Sequence, residues 1–202
     1  MAYIVKDGKL YLVTGSTRSG KTHWTMQKLK KYKRVVVWDI KHDPREFKGY
    51  VRCTNKVDFV KFLFQSRKSD LKITFSGKAS DFAFFCRAVY KWANDKACAI
   101  VADELSDVTT ISKAPEHWGH IIRKVLCTGS DVYAITQRPA EIDKTTVGNA
   151  SIFHVHRMSR AKDRKYISDE MDIDVGQVNQ LGDRDYIEKN NITQQVTTYK
   201  YK

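Results

Sequence analysis

Gly15, Gly20, Lys21 and Thr22 stand at the spacing G-x-x-x-x-G-K-[ST] within Gly15-Ser16-Thr17-Arg18-Ser19-Gly20-Lys21-Thr22. That spacing suits a loop that wraps a polyphosphate. The two glycines permit backbone conformations that turn successive N–H groups inward, and a helix starting at the end of the loop adds the positive end of its dipole. Lys21 would reach the β- and γ-phosphates, and the Thr22 hydroxyl would face Mg²⁺. Ser16, Thr17, Arg18 and Ser19 complete the cradle. The implied cofactors are ATP and Mg²⁺, although no base-reading motif separates ATP from GTP.

A phosphate loop needs a carboxylate on the metal side, and the run Cys98-Ala99-Ile100-Val101-Ala102 leads straight into Asp103 and Glu104. Asp103 would hold the metal, directly or through water. Glu104 would orient and deprotonate an attacking water. A further strand ends Ala134-Ile135-Thr136-Gln137-Arg138-Pro139. Gln137, with Thr136 beside it, is placed to report whether a γ-phosphate is present.

These groups require elements that end at a common edge. Apolar runs bounded by turn signals alternate with helical patterns, which predicts an α/β fold with a mainly parallel sheet and right-handed crossovers. Residues 9–14 read as a first strand and Thr22 to about Lys31 as the helix behind the loop. Residues 34–40 read as a second strand, followed by a loop through Pro44 and Gly49. A helix starts at Thr54 or Asn55, with Val57, Phe59, Val60, Leu63 and Phe64 at helical spacing. Residues 71–77 form a third strand, and a helix capped by Ser80 or Asp81 runs to about Asp95, with Phe82, Phe85, Val89 and Trp92 on one face. The strand at 97–104 is of the kind buried on both faces of a parallel sheet.

A linker to Pro115, a helix to about Cys127 stopped by Gly129, a strand at 131–137, a short helix and a strand at 151–158 complete the alternation. Beyond Ser159 a charged helix, a second helix and two strand-like runs reach Lys202. With 202 residues, no internal repeat and no linker, one domain is expected, its core at about 9–158 and a basic extension at about 159–202.

A content of 42% hydrophobic residues argues for a globular rather than a disordered chain. No run approaches the roughly 20 apolar residues of a membrane span, and the first residues lack the regions of a signal peptide, so a soluble intracellular protein is expected. Cys53, Cys86, Cys98 and Cys127 form no C-x-x-C pair, which predicts reduced core thiols. The formal net charge of +13 points to a polyanionic partner such as nucleic acid.

Taken together, the stretches 15–22, 37–43, 100–104 and 134–139 resemble the motifs of the HerA/FtsK superfamily of P-loop ATPases. The compact size is similar to that of the genome-packaging ATPases of membrane-containing icosahedral viruses. The resemblance spans about residues 9–158, and its most specific elements are the D-x-K-x-D of Asp39, Lys41 and Asp43 and the T-Q-R-P of residues 136–139. It implies a RecA-like (ASCE) domain that assembles as a homo-oligomeric ring, pentamer or hexamer, and pumps double-stranded DNA, with ATP bound between neighbours. It also implies work in the host cell cytoplasm, at a capsid packaging vertex. An arginine finger would then come from the adjacent subunit. Members of the superfamily often carry that arginine near the position of Leu126; this chain offers Arg123 one helical turn earlier, with Arg87 and Arg138 as further candidates.

A pump must contact DNA without reading bases, so phosphate-directed lysines and arginines are expected. Lys78 and Lys113, on loops after strands, and Arg160, Lys162 and Arg164 in the basic run at 156–165 are the candidates. The N-K-x-D of Asn55, Lys56 and Asp58 reads as a helix start, because no D-x-x-G segment completes a GTPase set. His117 with His120, and His154 with His156, each share a face. Without a nearby cysteine or carboxylate at matching spacing they read as ordinary surface or interface residues. Two other readings are a small nucleotide or nucleoside kinase, with the basic run as a lid, and a non-catalytic DNA-binding virion component. Glu104 beside Asp103 speaks against the first, and the intact Lys21, Thr22, Asp103 and Glu104 against the second.

Overall fold

The computed structural model describes residues 7–65, 70–94 and 96–201. Its strands are β1 (Leu10–Thr14), β2 (Arg34–Trp38), β3 (Val51–Cys53), β4 (Leu71–Phe75), β5 (Ala99–Ala102), β6 (Asp131–Thr136), β7 (Ile152–His156), β8 (Tyr186–Asn190) and β9 (Gln195–Tyr199). They form one nine-stranded sheet in the order β3-β4-β2-β5-β6-β1-β7-β8-β9. The pairings from β3 through β7 are parallel, while β7 with β8 and β8 with β9 are antiparallel. The helices are α1 (Lys21–Leu29), α2 (Lys56–Gln65), α3 (Phe82–Ala93), α4 (Glu116–His120), α5 (Lys144–Gly148), α6 (Ala161–Glu170) and α7 (Val175–Asn179).

Alternation along the strands splits the interior in two. Leu10, Leu12, Val36, Trp38, Ile100, Ala102, Val132 and Ala134 join one apolar cluster, which α3 completes with Phe82, Phe85, Val89 and Trp92. Val13, Val35, Val37, Ala99, Val101, Tyr133 and Ile135 face the other way and pack with Trp24 and Leu29 of α1. Both faces are therefore covered, as the continuous apolar runs require.

Register brings the chemistry to one edge. Thr14 lies opposite Thr136, and Trp38 opposite Ala102. The next residues, Gly15, Gln137, Asp39 and Asp103, consequently emerge together at the carboxyl ends of the strands, where parallel α/β sheets bind ligands.

Three local readings need correction. The segment read as a loop before Cys53 contains β3, a three-residue edge strand whose Val51 is exposed, too short and too polar to leave an apolar signature. The helix expected to run to about Cys127 is α4 only to His120; a wide π turn at Ile121–Val125 and a tight turn at Leu126–Thr128 follow, before Gly129 at φ 78° stops it. In α2 only Phe59 and Leu63 are buried, and Val57 is 76% exposed. The expected helix end at about Asp95 and the last residue of the C-terminal run, Lys202, lie outside the described residues.

The helix start at Asn55 is as read: its side chain accepts the Asp58 N–H at 2.9 Å. Cys53, Cys86 and Cys98 are buried free thiols and Cys127 is exposed. Among the described residues, no helix is long and apolar enough to cross a membrane.

Candidate active site

The phosphate loop leaves β1 at Gly15 (φ 152°) and enters α1 after Gly20 (φ 112°). Space as well as backbone demands glycine here. A Cβ on Gly15 would lie 2.7 Å from the His156 Cβ, and one on Gly20 would lie 3.1 Å from the His156 ring. The loop is tied down by Ser16, whose N–H and hydroxyl donate to the Arg157 carbonyl at 2.8 and 3.0 Å. Lys21 folds back to donate to the carbonyls of Gly15 and Ser16 at 2.7 and 2.9 Å. Burial pulls its ammonium down to about 8, against the field of Glu104.

Asp103 and Glu104 end β5 opposite this loop. Asp103 is 2% exposed, and neither of its carboxylate oxygens accepts a hydrogen bond among the described residues. Burial pushes its carboxyl up to about 6, with Lys41 opposing. Glu104 sits in the left-handed region at φ 50°, a conformation costly for a non-glycine residue and enriched at functional sites. Burial alone would raise its carboxyl, but hydrogen bonds from Gln137 and Lys41 hold it below the usual carboxylate range.

Gln137 joins the two halves. Its Nε2 donates to Glu104 Oε1 at 2.5 Å, and its Oε1 accepts the Thr17 hydroxyl at 2.7 Å. Asp103, whose oxygens accept no hydrogen bond among the described residues, and the Thr22 hydroxyl at the start of α1 would offer hard oxygen donors of the kind Mg²⁺ takes.

The D-x-K-x-D motif has a separate role for each member. Asp39 is fully buried, accepts the His42 N–H at 3.0 Å and pairs with Arg52 at 3.5 Å. It anchors the loop from β2 to β3. Asp43 turns outward and holds Arg45 through its carboxylate. Lys41, between them, points inward: its Nζ lies 2.6 Å from Glu104 Oε1 and 3.3 Å from Asp103 Oδ2. Burial would lower its ammonium, but Asp103 and Glu104 hold it above the usual lysine range. No role for Lys41 is legible in the sequence beyond its place in the motif. Glu46, on the same loop, has a buried Oε2 without a hydrogen-bond partner and acts on both Lys21 and Asp103; nothing in the sequence marks it.

His154 and His156 differ from their reading as ordinary surface or interface residues. His154 and His156 are buried beneath the phosphate loop, their Nε2 atoms 3.0 Å apart. His154 Nδ1 lies 3.1 Å from Glu188, His156 Nδ1 lies 3.0 Å from the Asp185 carbonyl, and the His154 ring stacks on Trp24. Burial lowers the two imidazoles to about 4 and about 3, so both are neutral. Alternation on β7 with an aromatic partner on α1 is the signal that would have placed them inside. The pair on α4 also has a carboxylate beside it: ligand atoms of Glu116, His117 and His120 lie within 4.8 Å of one another.

Arg123 and Arg87 are exposed, and Arg138 is exposed and within reach of Glu141 at 3.3 Å. Arg138, Arg157 and Arg160 line a cleft of about 280 Å³ beside Ser16, Thr17 and Gln137. Lys78, Lys113 and Lys162 extend into solvent. Arg160 pairs with Glu141 and Asp163, and Arg164 donates to the carbonyls of Met158 and Ser159 and to Asn179.

No family model matches the chain. The fold is that of the genome-packaging NTPase B204 of Sulfolobus turreted icosahedral virus 2, solved with ATP-gammaS: TM-score 0.76, 13% identity, 96% of this chain and 97% of that one. The N-terminal domain of zonular occludens toxin from Neisseria meningitidis is more distant, at TM-score 0.52 and 16% identity over 97% and 95% of the chains. Protein P9 of Pseudoalteromonas phage PM2 is 30% identical over 175 residues, which are 85% of this chain and 78% of P9. An α/β sheet with a phosphate loop at its centre, set against that identity over most of both chains, places this protein in the family of PM2 protein P9.

Proposed function

We propose that the protein is an ATP-driven double-stranded DNA translocase that packages a viral genome. The observation that carries the reading is the continuous contact from the phosphate loop through Thr17 and Gln137 to Glu104, which links phosphate binding to a poised carboxylate. Kinship with PM2 P9 and the fold shared with a genome-packaging NTPase support it. So do the HerA/FtsK-like motifs and the net charge of +13.

In this reading residues 15–22 cradle the triphosphate, and Lys21 exchanges its loop carbonyls for phosphate oxygens. Thr22 and Asp103 hold Mg²⁺, which when bound neutralises charge on the phosphates. Glu104 takes the proton of the attacking water, while Gln137 orients that water and reports hydrolysis back to Thr17. Arg123 is the proposed finger toward a neighbour's site in a five- or six-membered ring, a contribution worth on the order of 10³ to 10⁵ in rate. Lys78, Lys113 and Lys162 are the proposed DNA contacts, with Arg160 and Arg164 behind them because both are already engaged by protein groups. One sheet runs through residues 9–158 and the extension, which supports a single domain. The site of action is a packaging vertex in the infected cell.

The test is phosphate release from ATP with and without double-stranded DNA. Release stimulated by DNA is expected. Release indifferent to DNA would overturn the translocase, transfer only to an added nucleotide would replace it with a kinase, and no release at all with a non-catalytic virion component.

A further inference from the structure

Among the described residues, Lys41 is the one that touches both acidic groups of the site at once, and it does so where a cation is required. Its Nζ lies 2.6 Å from Glu104 Oε1 and 3.3 Å from Asp103 Oδ2. The Glu104 oxygen it holds is the same one that accepts Gln137 Nε2 at 2.5 Å. Two donors on a single oxygen stabilise the charged carboxylate and lower its basicity, so Glu104 is a poorer acceptor of a proton from water while both are in place. Asp103 is buried without any hydrogen bond to its oxygens, so the ammonium is the positive charge that keeps it ionised inside the fold.

The local charges explain why such a group is needed. Asp103 and Glu104 face Lys21 and Lys41 across the mouth of the loop, and Lys21 is occupied by the carbonyls of Gly15 and Ser16. Removing Lys41 would leave the two carboxylates with no charged partner in contact among the described residues. A divalent cation on Asp103 would supply that charge and repel the ammonium. Lys41 has somewhere to go, because its side chain is 37% exposed and sits on a loop anchored from behind by Asp39 and Arg52 rather than by Lys41 itself.

We infer that Lys41 is a positioning residue for the carboxylate pair: its ammonium stands in for the divalent cation in the nucleotide-free protein and holds Glu104 in a committed state until that cation displaces it. The inference rests on the hydrolytic reading of Asp103 and Glu104, and it deepens that reading by making metal arrival the event that frees Glu104.

The experiment is Mn²⁺ binding to the nucleotide-free protein, read by electron paramagnetic resonance, in wild type, Lys41→Met and Lys41→Gln. Thermal melting of each is recorded with EDTA and with Mn²⁺. The neutral variants should bind Mn²⁺ at least about tenfold more tightly than wild type, because the carboxylates lose their competitor. They should also melt earlier than wild type in EDTA and recover the difference when Mn²⁺ is added. Addition of Asp103→Asn to Lys41→Met should abolish the gain in affinity.

Equal or weaker Mn²⁺ binding in both neutral variants would refute the inference. A gain that survives Asp103→Asn would also refute it, by placing the ion elsewhere. The measurement uses no nucleotide, so a wild type that releases no phosphate from ATP would defeat the packaging reading while leaving the Mn²⁺ result to decide the role of Lys41.

Discussion

Lys21 finds two carbonyl acceptors at 2.7 and 2.9 Å without leaving its own loop, whereas Asp103, at the facing strand end, is buried with neither oxygen hydrogen-bonded. The two halves of the site thus rest differently. The phosphate-loop half is satisfied internally and braced from below by His156. The carboxylate half is held by Lys41 and Gln137 and by an unfavourable backbone at Glu104. A buried carboxylate matched only by a half-exposed ammonium costs stability, and a site that must accept a cation tolerates that cost. Binding and chemistry should therefore be separable by substitution.

The sharpest break is Lys21→Ala. Nucleotide affinity should fall about 10²-fold or more, the scale expected when a charge-assisted hydrogen bond is removed from a buried site, as read by titration with a fluorescent ATP analogue. Affinity within a few-fold of wild type would mean that the loop does not bind phosphate as argued.

Acid should attack the phosphate-loop half next. The folded-state values of His154 and His156 lie below that of a free imidazole, so the unfolded chain binds more protons. Stability is then full above about pH 6.5 and is lost as pH falls toward 4. About 3 kcal/mol should go for His154 alone, measured by urea unfolding, and the loss should flatten in a His154→Gln, His156→Gln double variant.

Asp103 should behave in the opposite sense. Its folded-state carboxyl lies near 6, above the unfolded value, so its contribution to stability is present below about pH 4 and lost as pH rises through 6. Asp103→Asn should accordingly stabilise the nucleotide-free protein by about 2 kcal/mol at pH 8 and by little at pH 4, at the expense of metal binding. A destabilised Asn variant at pH 8 would break the contrast.

The smallest effect is expected at the bridge. Gln137→Ala should lower kcat about tenfold, less than loss of an isolated oxyanion donor, because Gln137 orients the water while Glu104 takes its proton. KM should change little.

How much of this was legible depends on whether a residue's role is fixed by local spacing or by packing. Gly15, Gly20, Lys21 and Thr22 act at consecutive positions of one turn, and Asp103 and Glu104 close a visibly apolar strand, so pattern and place coincide. The faces of α3 and the alternation of β1, β2 and β5 were readable for the same reason.

The roles of Lys41 and His156 were not readable, because their partners lie 63 and 136 residues away in sequence and meet them only through sheet order. β3 escaped notice because a three-residue edge strand buries little. The π turn after His120 escaped because it keeps helical hydrophobic spacing while changing the hydrogen-bond pattern. The antiparallel β8 and β9 showed only as strand-like runs, their direction being set by pairing to β7.

If one half of the site binds nucleotide and the other hydrolyses it, the two activities must come apart at Glu104. Glu104→Gln tests this most directly when ATP-analogue binding and phosphate release are measured on the same preparation. The account predicts binding within about threefold of wild type and a turnover lower by about 10³-fold, the range expected when a general base is removed. Turnover close to wild type, or binding and turnover abolished together, would contradict it.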